Sequence, residues 1–446
     1  MDKSPSNMEC PSVTETYPLL SGPDIQGAYL QHKLNFLDSG QELEFGTLEN
    51  TPFTLDELLN ILSEPVITDQ IRSPKHPNNT VEQVYSDGLT SQVFKLVKGG
   101  KEWNLKAKRS ENLVKNSDGK TAFLNELERR RDFSRLKLQA PALTTNLQQT
   151  DKAFSTPSQG FEHLVNTRYA SLQHGLTLSD WIPGEPLQEF NSSIFQQLFS
   201  VLTEIELQGF MEWDLSPSNI VYDGQKVNLF DFGYCYPFDP RKHLNSSGLS
   251  QPMFHSAERF ETRNLFGYLL NQEKQKSEHS VILLFELEKT VALQAYIYKL
   301  ERLIAMQASE QVVHWLETII AQWQSALKNP IELQTLYLGE AYRSHVLDVT
   351  DDISGQSCTP MTLTRIDKVT QIVTDHFEIV VQYEQHWNEQ QSLYKDQNQL
   401  SKTNFSSQTA AHGLLMHDLN ESKTAVLERL VSYKQKAMQF QLANHV

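Results

Sequence analysis

Residues 211–233, MEWDLSPSNIVYDGQKVNLFDFG, are the stretch from which the rest of this 446-residue chain can be read. Val227–Phe230 ends a β-strand that delivers Asp231 at its tip, and Gly233 lets the chain turn sharply. Upstream, Asp214 begins a loop in which Pro217 blocks helix and Ser216 and Ser218 favour turns. A short apolar strand, Ile220–Tyr222, follows Asn219, and a turn at Asp223-Gly224 leads back into the next strand. This hairpin brings Asp214, Asn219 and Asp231, all hard oxygen ligands or proton acceptors, to one edge.

The pattern D-L-x-P-x-N followed by D-F-G resembles the catalytic loop and metal loop of the protein kinase superfamily. The resemblance implies that Asp214 accepts the proton of an attacking hydroxyl, and that Asn219 and Asp231 hold Mg²⁺ on the phosphates of ATP. A D-F-G closing a buried strand is common by itself; its pairing with D-L-x-P-x-N on one hairpin carries the resemblance.

Upstream landmarks extend it. In Tyr85–Leu96 (YSDGLTSQVFKL), Gly88 and Ser91 stand before Val93 where the family's glycine-rich loop has its second and third glycines. Ser86 replaces the first glycine, so only small residues, not glycines, let that backbone lie close over phosphates. After a turn at Gly99-Gly100, Trp103–Lys108 fits the strand that carries the family's lysine. Lys106 and Lys108 project to the same face, and Lys106 is favoured because an apolar residue precedes it. The resemblance assigns Lys106 to the phosphates and to charge neutralisation during transfer. TAFLNELERRRDFSRL (121–136) reads as a helix, and the resemblance puts Glu126 where the family's helix glutamate pairs with that lysine. Glu128 competes for the role but lies about 200° round the helix.

Leu164–Ser171 reads as the strand entering an interlobe hinge, where the resemblance puts Tyr169 and Ala170 against the nucleotide. LTLSDWI (176–182) reads as a short helix after it. Asn191 or Ser192 caps a helix whose Ile194, Leu198, Val201, Leu202 and Ile205 share a face, ending at Gly209. Beyond Gly233, Ser256-Ala257-Glu258 resembles the A-P-E that closes an activation segment. Two departures stand out. Glu212-Trp213 replaces the family's His-Arg, which removes the partner of a phosphorylated activation loop. Ser216 stands where protein Ser/Thr kinases carry a phosphate-contacting Lys, leaving Mg²⁺ and Lys106 to neutralise charge.

Composition bounds the surroundings. A formal charge of −16 makes nucleic acid and anionic membrane surfaces poor partners. Three cysteines, Cys10, Cys235 and Cys358, are too few and scattered for a disulfide framework or zinc site, which points to a reducing, cytoplasmic setting. Delivery into a host cell as a bacterial effector is compatible with that setting. The longest apolar run, Val281–Phe285, is far short of the roughly 20 residues of a membrane span.

The expected organisation is α+β: a bilobal protein-kinase-like fold with a helical C-terminal extension. Residues 1–75 form an N-terminal extension, largely disordered, with a capping-box helix near 54–62 (Thr54, Glu57). Residues 76–345 form the kinase-like domain, its N-lobe about 76–170 and its C-lobe about 171–345. Residues 346–446 form the extension: a helix from Thr359 with apolar residues Leu363 to Val381 on one face, a polar joint, and a helix over Thr424–Phe440. These last helices are candidates for a partner or dimer contact. The function expected is ATP- and Mg²⁺-dependent transfer of a phosphoryl group to a protein Ser/Thr hydroxyl. A small-molecule kinase, a nucleotide-binding scaffold without turnover, and a kinase fold transferring AMP are the alternatives.

Overall fold

The computed structural model describes residues 25–64, 78–85, 88, 90–110, 114, 116–144, 161–276, 278–394 and 413–441. The expected disorder of residues 1–24 and 65–75, the place of Ser86, Cys10 and the polar joint after residue 394 lie outside them.

Within the described residues the chain is α+β, with a small antiparallel-sheet region and a larger helical region. It opens with α1 (Ile25–Asp38), β1 (Glu44–Gly46) and α2 (Leu55–Ser63). The expectation that this extension is disordered apart from one helix is therefore corrected. β1 pairs as an edge strand with the later strand Thr167–Ser171, and α1 buries Ile25, Tyr29 and Lys33. The signal was hidden because α1 has no strong apolar stripe of its own; its burial comes from distant partners. The capping box of α2 is formed as read: Glu57 N–H donates to Thr54 Oγ1 at 3.3 Å and Thr54 N–H to Glu57 Oε2 at 2.9 Å.

Next come β2 (Val81–Tyr85), β3 (Ser91–Lys98) and β4 (Lys101–Lys108). Gly99 and Gly100 join the last two at φ 66° and 72°, the left-handed pair a two-residue hairpin requires. After α3 (Ser117–Thr144) follow β5 (Thr167–Ser171) and β6 (Leu176–Asp180), giving the antiparallel order β1-β5-β6-β4-β3-β2. Phe94, Leu96, Trp103, Leu105, Leu176 and Leu178 make one apolar face, covered by Leu58 and Ile61 of α2. The other face meets α3.

β6 corrects the reading of LTLSD as helix. Leu176 and Leu178 alternate with Thr177 and Ser179, a period of two that places the segment between β5 and β4. The crossover to the helical region therefore lies after Asp180, not beside Tyr169 and Ala170.

The helical region holds β7 (Glu185–Pro186), α4 (Ser192–Leu207), β8 (Phe210–Glu212), β9 (Ile220–Tyr222), β10 (Val227–Leu229) and β11 (Cys235–Pro237). Asn191 caps α4 through Ile194 N–H at 3.1 Å. Then come α5 (Ser256–Phe260), a π-helical turn Glu261–Leu265, α6 (Phe266–Glu273), α7 (Glu278–Ala305), α8 (Glu310–Ala326) and α9 (Pro330–Gly355). The chain closes with α10 (Pro360–Asp375), α11 (Phe377–Tyr394) and α12 (Lys423–Gln439). Two boundaries are corrected. Residue 346 falls in the middle of α9, and the single helix expected from Thr359 breaks at His376 into α10 and α11. Nor is this part an appendage. Val369, Val373, Val380, Trp387 and Leu430 belong to the same core as Leu198, Ile205 and Phe260, so the faces offered to a partner are largely covered internally. Among the described residues no helix is long and apolar enough to cross a membrane.

Candidate functional site

The hairpin read from the sequence forms as β9 and β10, with Ile220 opposite Leu229 and Tyr222 opposite Val227. Asp223 closes its turn by accepting the Gln225 and Lys226 N–H groups at 2.9 and 2.6 Å. At the other end Phe230 N–H donates to the Asn219 carbonyl at 3.2 Å, which sets Asp231 beside Asn219. Asp231 has φ 65°, a left-handed backbone that costs a non-glycine residue about 1 kcal/mol or more. Such strain persists only where surrounding contacts over-determine it.

Those contacts come from the sheet region. Lys106 Nζ lies 2.8 Å from Asp231 Oδ2 and 2.6 Å from Glu126 Oε2 of α3. Glu126 gives its other oxygen to Arg130, one turn on, at 2.8 and 2.7 Å. Burial by itself would push the Lys106 ammonium down; the Asp231 and Glu126 charges outweigh it and hold its pKa above the ordinary value. Burial would raise Asp231, but Lys106 outweighs that and holds its carboxyl below the usual range. Of the two alternatives left open, geometry selects Lys106 and Glu126. Lys108 is exposed, and Glu128 faces away to pair with Tyr29 and Lys33 of α1.

Asp214 stands next to this group. Asn219 Nδ2 donates to the Asp214 carbonyl at 2.9 Å and to its Oδ2 at 3.1 Å. Asp214 N–H donates to Glu212 Oε1 at 2.8 Å. Burial holds the Glu212 carboxyl well above the usual carboxylate range. Asp214 Oδ1 accepts Arg263 Nε at 3.1 Å, from the π-helical turn.

Of the remaining candidates, Val93 pairs in register with Lys106 and so shares its face, while Ser91 is buried opposite Lys108. A Cβ on Gly88 would meet the Ser91 carbonyl at 2.6 Å, so the turn closes only around a glycine. Tyr169 and Ala170 are the correction. Tyr169 belongs to the core under α2, and Ala170 packs on Phe123 and Leu127 of α3. Neither lines a cleft, because β6 intervenes between them and the crossover. At the crossover itself Trp181 stacks on Tyr85 with ring centres 6.0 Å apart.

Several contributors escaped sequence reasoning. Asn125 donates both amide hydrogens, to the carbonyls of Gly233 and Cys235, each at 2.9 Å, tying α3 to the segment after Asp231. Arg130 was findable as the i+4 partner of Glu126. Arg259 was not: it stacks over Trp213 at 5.3 Å and donates to its carbonyl at 3.1 and 3.0 Å. Arg259 is thus a buried cation bonded to the Trp213 backbone.

The oxygen donors on offer, an Asp231 carboxylate one-third exposed (32%) and the Asn219 amide, suit a hard cation. Among the described residues no cluster of three or more His, Cys, Asp or Glu is arranged for a metal. No family model and no curated protein matches this chain.

Proposed function

We propose that this chain is an ATP- and Mg²⁺-dependent phosphotransferase of the protein-kinase type, moving the γ-phosphoryl group of ATP to a protein Ser/Thr hydroxyl. One observation carries the reading: a buried lysine from the sheet is held between a helix glutamate and Asp231, with Asp214 and Asn219 hydrogen-bonded to each other alongside. A buried ammonium with a partly exposed carboxylate partner is an anion site whose one replaceable contact faces solvent.

In this reading Lys106, kept oriented by Glu126, would bind the phosphates, and Asp231 would be free to hold a metal ion. Asn219 and Asp231 hold Mg²⁺, which when bound draws charge off the phosphates. Val93 and the Gly88–Ser91 turn cover the nucleotide, and the crossover after Asp180 replaces Tyr169 and Ala170 as its outer edge. Asp214 takes the proton of the acceptor hydroxyl as that oxygen bonds to the γ-phosphorus; the bond to the bridging oxygen breaks and ADP leaves. The long segment from Gly233 to Ser256, closed by Glu258 on Arg343 at 3.3 Å, favours a protein acceptor.

The test is transfer from γ-labelled ATP into proteins of a lysate, lost in Asp214→Ala with the fold intact by circular dichroism. Transfer from α-labelled ATP would replace phosphoryl by AMP transfer, and nucleotide binding without turnover would leave a scaffold.

A further inference from the structure

The contact between Arg263 and Asp214 rests on a local irregularity. Residues Glu261–Leu265 form a π-helical turn between α5 and α6. Such bulges add a residue to the helix, re-aim its side chains and concentrate at functional sites. Here three successive residues turn onto different partners. Thr262 offers its carbonyl to Arg365 Nη2 at 3.0 Å, and Asn264 Nδ2 donates to the Leu215 carbonyl at 3.3 Å. Between them Arg263 donates from Nε to Asp214 Oδ1 at 3.1 Å and from Nη1 to Asp348 Oδ1 of α9. Asp348 is held in turn by Arg365 Nε of α10 at 2.8 Å.

The guanidinium is therefore fixed along two edges, while Nη2 makes no hydrogen bond among the described residues and the side chain keeps 22% exposure. A guanidinium stays charged at any accessible pH and presents a rigid fork suited to phosphate oxygens. Charge bookkeeping asks for such a group. Lys106 serves the nucleotide side, Arg130 is turned back onto Glu126, and Ser216 brings no charge to the acceptor side. Among the described residues Arg263 is the one cation hydrogen-bonded to Asp214.

Resting on the phosphotransfer reading above, we propose that Arg263 is the acceptor-side cation of this site. It orients the Asp214 carboxylate through Nε and neutralises the phosphoryl group in flight through Nη2, with Asp348 and Arg365 as positioning residues. The reaction's atoms balance as before; Arg263 neither gains nor loses a proton.

The experiment uses the full chain and compares wild type, Arg263→Ala, Arg263→Lys and Asp348→Asn. γ-Phosphoryl transfer is measured with ATP and with the acceptor varied. MgADP binding is measured with and without fluoroaluminate, a planar mimic of the migrating group. The expected result for Arg263→Ala is a kcat lower by about 10²-fold with KM for ATP within twofold of wild type. The extra affinity that fluoroaluminate confers on MgADP should also disappear. Arg263→Lys should restore part of both, since it keeps the charge and loses the fork, and Asp348→Asn should lower kcat less than Arg263→Ala does. Transfer undiminished in Arg263→Ala, faster transfer (an inhibitory cap on Asp214), or fluoroaluminate tightening unchanged in both Arg263 variants would overturn the inference alone. Wild type that binds MgADP yet transfers no γ-label would overturn the phosphotransfer reading, and the inference with it.

Discussion

Two of the lysines buried among the described residues, Lys106 and Lys289, have surroundings that differ in a way that separates chemistry from architecture. Lys106 faces Glu126 and Asp231, with Arg130 behind Glu126, so two cations meet two carboxylates. One of those carboxylates, Asp231, opens to solvent. Lys289 of α7 sits among Glu261, Glu288 and Glu340, at 2.5, 3.8 and 2.7 Å, with its own side chain wholly inaccessible. Neither Glu288 oxygen has a hydrogen-bond partner among the described residues. The first group is balanced and has a replaceable partner, which is what a ligand needs. The second is over-supplied with acid and sealed, so it meets its charge excess by holding protons. Burial raises the Glu288 carboxyl to about 7, and raises Glu261 well above its ordinary range. A buried ion group therefore marks a site only when one of its members can let go.

The sharpest break in that contrast is chemical. Asp214→Asn should lower γ-phosphoryl transfer by about 10³-fold while the melting temperature stays near wild type, since the amide still accepts from Arg263. A protein that transfers undiminished would place the chemistry elsewhere. Next in size, Lys289→Ala should cost about 3–5 kcal/mol of stability in urea titrations, because it strands buried carboxylates. Nucleotide affinity per folded molecule should not change; if it does, the two groups are coupled and the contrast fails.

pH should then pull the two regions in opposite directions. Glu288 keeps a proton when folded that it loses near pH 4.5 when unfolded. Its contribution is therefore full below about pH 4.5 and is lost as pH rises toward about 7, by about 3 kcal/mol at most. Glu288→Gln should flatten that slope in denaturant midpoints read from pH 4.5 to 7. Asp231, held low by Lys106, contributes above its ordinary range and loses its part as pH falls below about 3.8. The smallest effect expected is at α1. Tyr29 donates to Asn125 Oδ1 and lies 2.9 Å from Glu128 Oε2, so Tyr29→Phe should cost about 1–2 kcal/mol by thermal denaturation. A larger loss of transfer than of stability would show that α1 sets the place of α3 and of Glu126.

The legible parts of the fold share a physical cause. The β9–β10 hairpin, the Gly99-Gly100 turn and the caps of α2 and α4 depend on residues close in sequence, whose turn and capping chemistry is local. Glu126 was proposed from the family resemblance, and helical periodicity served only to set Glu128 on another face. β6 was missed although its period-two alternation was present, because five residues of alternation compete poorly with a helical reading when the paired strands are far away. α1 and the α9 boundary were missed because their partners, Glu128 and Arg263, lie elsewhere in the chain.

By itself the sequence determined the chemistry on offer: one edge bearing two aspartates and an asparagine, a lysine-bearing strand and a glutamate-bearing helix. Tertiary structure alone decided which charges meet. It chose Lys106 over Lys108, turned Glu128 away, displaced Tyr169 and Ala170 from the cleft and brought Arg263 onto Asp214. Local conformational preferences act over a few residues and can be read in order, whereas charge pairing is settled by burial, where an ion is stable only beside whatever partner the whole fold delivers.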